Sequence, residues 1–158
     1  MQQALLIVDV QSSFSPPIWL VEKIAQLDTS MHSIATVEHH NESVTPLWQP
    51  AWLEAGTQRR STYCHRPSVH KTRLYATIGT RRLCQEYRCR RVLSCGIQAD
   101  TCCLAAGFML FDAALRPTLL KWLTIGSSLD RSAQLGTSLW RHHFGQERII
   151  ETKNELSS

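Results

Sequence analysis

No apolar run in this chain of 158 residues reaches the roughly 20 positions that crossing a bilayer requires, so no membrane partner is expected. The opening MQQALLIVDV has no basic stretch ahead of it and no small-residue cleavage site. It reads as a strand, not as an export signal, and the expected location is cytoplasmic. No two cysteines stand in a C-x-x-C pair, which argues against a zinc knuckle or ribbon. The six cysteines, Cys64, Cys84, Cys89, Cys95, Cys102 and Cys103, crowd the middle third of the chain. Cytosolic thiols stay reduced, so disulfides are not expected, and most of these side chains read as small buried hydrophobes. Repeats, low-complexity tracts and long linkers are also lacking. That leaves a single domain over residues 1–158, long enough to bury a real core.

The apolar and charged fractions, 43% and 19%, fit an ordinary soluble globular domain. The net charge of +4 is partly local. RRLCQEYRCRR (81–91) holds five arginines against one glutamate, which raises the question of a nucleic-acid partner. Leu83, Tyr87 and the arginines alternate at helical spacing, however, so the stretch reads as a solvated helix face and no nucleic acid is expected.

Along the chain, ALLIVDV (4–10) is a continuous apolar run ending in a carboxylate. This suits a strand buried on both faces of a parallel sheet. PPIWLVEKIAQLD (16–28) begins with prolines and carries apolar residues at helical spacing. HSIATVEHH (32–40) reads as a second strand. Residues 41–68, rich in Pro, Trp, Thr and Arg, read as a long loop region of the kind that carries function. SVHKT (68–72) reads as a short strand, 77–90 as a helix and RRVLSCGI (90–97) as a buried strand. Residues 101–115 read as a helix, PTLLKWLTI (117–125) as a strand, 129–144 as a helix and ERIIET (147–152) as the last strand. Alternating strands and helices predict a three-layer α/β/α, Rossmann-like architecture with a mostly parallel, roughly six-stranded sheet. In such sheets the site lies at the carboxyl ends of the strands.

Three features converge on that edge. Asp9 closes the first strand. GIQADTC (96–102) turns the 90–97 strand into a helix, with Asp100 in position to cap it. Cys102 then falls in the first turn, where helix amides and dipole stabilise a thiolate. Cys103 is rotated by about 100° around the helix, so only one of the pair faces the strand ends and the other should be inert. Lys71, ending the 68–72 stretch, is the third feature. A lysine near a thiol lowers its pKa and a carboxylate can take its proton. Spacing alone leaves this grouping open, since an isolated lysine commonly sits on the surface.

LLIVDVQSSF, Lys71 and GIQADTCC together resemble the isochorismatase-like cysteine hydrolases, a superfamily that includes nicotinamidases and carbamoylsarcosine amidases. Their first strand ends in D-x-Q-x-x-F, matched by Asp9, Gln11 and Phe14. Their fourth strand runs into a G-[IV]-x-[TA]-D-x-C pattern, matched by Gly96, Ile97, Ala99, Asp100 and Cys102. The resemblance runs from Ala4 to about Thr152. It implies a catalytic triad of Asp9, Lys71 and Cys102, and a reaction in which a small amide is cleaved at its C–N bond through a thioester. It further implies an oxyanion hole made by the amides of Gln98 and Cys102, with a cis peptide between Ile97 and Gln98. Isochorismatase itself lacks the cysteine, so Cys102 points to the amidase branch.

The chain departs from the pattern in places. Cys103 replaces a usual valine, and Gly126-Ser127 replaces an acid-small pair after the fifth strand. The chain is also shorter than most relatives. A catalytically silent binding or scaffold protein on the same fold is the alternative these departures motivate. Nicotinamidases carry a D-x-H metal motif after the second strand. Here Glu38 and His40 fall in that frame, and His65 or His70 would be the further ligand of a metal-dependent enzyme. The second histidine of the usual spacing is missing, so neither metal nor other cofactor is expected, and His39 and His40 read as polar walls of the site. Gln11, Phe14, Trp19, His39 and Tyr75 are the expected substrate-pocket residues, with Trp48, Trp52 and Tyr63 nearby in sequence. Relatives commonly form dimers or tetramers. A homo-oligomer is expected here, with Phe108, Leu110 and Phe111 available for contacts and His142 and His143 at the surface.

Overall fold

The computed structural model describes residues 3–38, 68–71 and 88–156, with backbone alone for 68–71. The apolar run at the N-terminus forms β1 (Gln3–Val8), buried from Ala4 onward. Burial on both faces is what a central parallel strand requires. β2 (His32–Glu38), β3 (Ser68–Lys71), β4 (Arg91–Ile97), β5 (Arg116–Ile125) and β6 (Ile149–Ile150) follow. They form one six-stranded sheet in the order β3-β2-β1-β4-β5-β6, and every pairing is parallel. The expected architecture is therefore present.

Helices α1 (Ile18–Asp28), α2 (Cys102–Asp112) and α3 (Gln134–Phe144), with the short α4 (Lys153–Leu156), complete the layers. Strand periodicity sends alternate side chains to opposite faces. Leu5 and Ile7 pack with Leu20 and Ile24 of α1 on one face. Leu6 and Val8 pack with Leu110 of α2 and Trp140 of α3 on the other. Among the described residues no helix is long and apolar enough to cross a membrane.

Several element ends differ from the sequence expectation, each for a local reason. β1 stops at Val8, not at residue 10, because Asp9 takes a left-handed φ of 51°. α1 starts at Ile18, with Pro17 as its cap residue. α2 ends at Asp112, not at residue 115. Ala114 turns left-handed at φ 60°, its amide donates to Phe111 O, and the Leu115 amide donates to Leu110 O. This is the Schellman pattern, with alanine where glycine is usual. α3 starts at Gln134, not at residue 129, because Ala133 is left-handed and Asp130 reaches forward to accept from the Leu135 amide. The Ser132 hydroxyl and then the Leu135 amide hold the Asp130 carboxyl below its ordinary value. The last strand keeps only two of its six expected residues, since 146–148 form a 3-10 turn. Residues 88–90 are not helical. The rest of the 77–90 helix, the 41–67 loop, and His39, His40, His65, Tyr75, Trp48, Trp52 and Tyr63 lie outside the described residues. Leu110, expected to stand with Phe108 and Phe111 at a subunit contact, is fully buried, while the two phenylalanines are exposed.

One buried group is a clear liability. Ser94, in the middle of β4, is fully buried, and its hydroxyl has no hydrogen-bond partner among the described residues. Such a group costs stability. Ser94→Ala is expected to leave stability unchanged or raise it by about 1 kcal/mol, read as a higher urea midpoint at constant m-value.

Candidate active site

β1 and β4 are neighbours, and Val8 pairs with Gly96. The segments leaving both strands therefore emerge side by side at the carboxyl edge of the sheet. Asp9 leaves β1 fully buried. Its amide donates to Thr36 O of β2 at 3.2 Å, and the Thr36 hydroxyl donates to Asp9 Oδ1 at 2.9 Å. A buried carboxylate fixed by β2 is thus held beside the end of β4.

After β4 the Ile97–Gln98 peptide is cis, as the resemblance implies. Gln98 O accepts from the amides of Thr101, at 3.2 Å, and Cys103, at 3.0 Å. These bonds fold residues 98–103 into a tight turn that opens α2 at Cys102. Thr101 is the cap residue and makes no side-chain capping bond. Its hydroxyl bonds Gln98 Oε1 instead. Asp100, expected to cap α2, does something else. Its carboxylate accepts from the Ser127 amide at 2.8 Å and from the Ser127 hydroxyl at 2.6 Å. Cys102 is 5% exposed and Cys103 fully buried. Both border the same apolar cluster as Leu110 and Trp140, so the expected division between a facing and a packed cysteine is one of degree.

Lys71 ends β3 on the same edge, in register with Glu38. β2 lies between β3 and β1, which puts the strand bearing Lys71 about 10 Å from that bearing Asp9. Gln11, expected in the substrate pocket, is buried. Its Oε1 accepts from the Glu38 amide at 2.7 Å, and its Nε2 donates to Glu38 O at 3.1 Å and to the Ser13 hydroxyl at 2.6 Å. Both ends of the amide bond the Glu38 backbone, which ties β2 to the segment after β1. Phe14 is half-buried and packs on the core. Trp19 is exposed on the first turn of α1, with the Lys23 ammonium 5.2 Å from its ring centroid. His142 and His143 are exposed. Glu38 is buried, and His70 is placed in β3 in register with Val37. Among the described residues no three His, Cys, Asp or Glu side chains are grouped to hold a metal.

A cleft of about 440 Å³ opens between α1, Trp122 and residues 151–153. It includes none of Asp9, Gln98 or Cys102. Sequence reasoning missed the three ties that hold the site's backbone: Thr36 to Asp9, Gln11 to Glu38, and Ser127 to Asp100. Only the first was within reach of the sequence, because Thr36 comes level with Val8 once β1 and β2 are paired in parallel.

No family model matches the chain, and no curated protein matches it in sequence. Solved structures do match. A nicotinamidase from Bacillus subtilis is similar at 15% identity and a TM-score of 0.75, over 96% of this chain and 100% of that one. An isochorismatase-like hydrolase from Alkaliphilus metalliredigens is 14% identical with a TM-score of 0.80, over 99% and 98%. An N-carbamoylsarcosine amidase from Thermoplasma acidophilum is 13% identical with a TM-score of 0.71, over 92% and 94%. With its parallel sheet ordered β3-β2-β1-β4-β5-β6 and these neighbours matched over nearly their whole length, the chain has the isochorismatase-like hydrolase fold.

Proposed function

We propose that this protein is a cysteine hydrolase that cleaves the C–N bond of a small amide, with Asp9, Lys71 and Cys102 as its triad. The observation that carries this reading is the juxtaposition of a buried carboxylate leaving β1 with a cysteine that opens a helix after the adjacent strand. The fold's occurrence in a nicotinamidase and an N-carbamoylsarcosine amidase supports it.

In this scheme Asp9 takes the thiol proton as Cys102 Sγ attacks the carbonyl carbon. The amides of Gln98 and Cys102 receive the oxyanion. Collapse of the tetrahedral intermediate breaks the C–N bond, and Asp9 hands its proton to the departing nitrogen. A thioester remains on Cys102. Water then gives a proton to Asp9 and attacks the thioester carbonyl. The C–S bond breaks, the proton returns to the thiolate, and the acid product leaves. Lys71 serves by favouring the charged forms of carboxylate and thiol. The first-turn amides of α2 act in the same sense on the thiolate.

The test is ammonia release from a panel of small primary amides and carbamoyl compounds, with Cys102→Ala protein as the blank. Release by the wild type that is lost in the blank is the expected result. Equal release from both proteins, or none from either across the panel, would overturn the reading.

A further inference from the structure

We propose that Ser127 is a positioning residue for the nucleophile, acting through Asp100 on the turn that carries Cys102; this rests on the cysteine-hydrolase reading above. The turn at 98–103 is held at three points: by the end of β5, by the segment after it and by α3. The Ala99 amide donates to Ile125 O at 2.9 Å. The Asp100 carboxylate accepts two bonds from Ser127, one to each oxygen. Gly136 of α3 lies against the turn so closely that a Cβ there would stand 2.4 Å from Ala99 Cβ and 2.6 Å from Asp100 N. Ile125 and Gly136 supply only backbone and close approach. Ser127 is the one side chain in this set that reaches the turn.

The chemistry of that contact favours precise placement. Two hydrogen bonds to the two oxygens of one carboxylate fix its plane as well as its position. The Ser127 hydroxyl is itself aimed, because its oxygen accepts from the Leu129 amide at 3.1 Å while its proton goes to Asp100. Asp100 stands two residues before Cys102, between the two amides assigned to the oxyanion, Gln98 and Cys102. A shift of the carboxylate therefore moves both donors and the sulfur together. Small displacements of a reacting group are costly to rate, about a hundredfold for 1 Å.

Two measurements on full-length protein test it. The first is backbone hydrogen exchange of the peptide spanning 98–103. In Ser127→Ala its exchange should speed by about tenfold or more, with β1 unchanged. The second is steady-state kinetics on an amide found by ammonia release. There kcat should fall about 10- to 100-fold with KM within about threefold, and Ser127→Thr, which keeps the hydroxyl, should recover most of the loss. Unchanged exchange at 98–103 would show that Ser127 does not hold the turn, whatever the activity does. Faster exchange with wild-type kcat would remove the positioning role. A wild type with no Cys102-dependent release would instead sink the hydrolase reading, and the role in catalysis with it.

Discussion

Cys102→Ala is expected to lower amide hydrolysis on the order of 10⁴-fold or more, the scale seen when the nucleophile of a coupled catalytic group is removed. Cys103→Ala should leave the rate within about threefold. The two residues are adjacent, equally apolar and both buried, so composition and burial do not separate them. Backbone position does. Cys102 is the first residue of α2, whereas the Cys103 amide is already engaged by Gln98 O and its side chain is fully enclosed. Alkylation by iodoacetamide at neutral pH, read residue by residue by mass spectrometry, gives a second measure that needs no substrate. Among the four cysteines of the described residues, Cys89, Cys95, Cys102 and Cys103, Cys102 should label first. Burial pushes the Cys89 thiol up, which keeps it protonated and slow, and Cys95 is fully enclosed in β4. Labelling concentrated on Cys103, or activity surviving Cys102→Ala but lost in Cys103→Ala, would reverse the assignment.

The layers were legible because the strongest signals were the simplest. A continuous apolar run such as ALLIV can be buried on both faces only in the middle of a parallel sheet, and β1 lies there. The positions of Asp9 and the Cys102 turn followed from the strand ends. Element ends were less legible, and the reason is specific. The breaks at Asp9, Ala114 and Ala133 are left-handed residues that are not glycine, so the sequence carries no marker for them. The ties that hold the site are harder still. Ser127 and Asp100, like Gln11 and Glu38, are 27 residues apart and meet only once the strands are ordered. That is why Asp100 read as a local helix cap and Gln11 as a pocket residue, while the structure gives both to distant backbone.

Gly96→Ala is expected to be the most damaging single substitution for folding among those considered. Gly96 precedes the last residue of β4 and pairs with Val8 across the two most central strands. Its φ is +115°, and a Cβ there would lie 2.2 Å from Val8 O and 2.9 Å from Val8 N. Both obstacles are backbone, so no rotamer change relieves them. The φ alone costs about 1–3 kcal/mol for a residue with a side chain. Parting β1 from β4 adds overpacking strain of about 1–3 kcal/mol or more. A loss of about 4 kcal/mol is a large share of the roughly 5–15 kcal/mol that a domain has. At about 2–4 °C per kcal/mol for a chain of this size, the thermal midpoint should fall by at least about 8 °C. Calorimetry and the urea midpoint would both report it. The damage should also reach the site, because Asp9 follows Val8 directly and Gln98 stands two residues after Gly96. Any variant that survives should therefore lose hydrolysis further than its folded fraction explains. A Gly96→Ala protein with wild-type midpoint and rate would show that β1 and β4 are not in the close register described here.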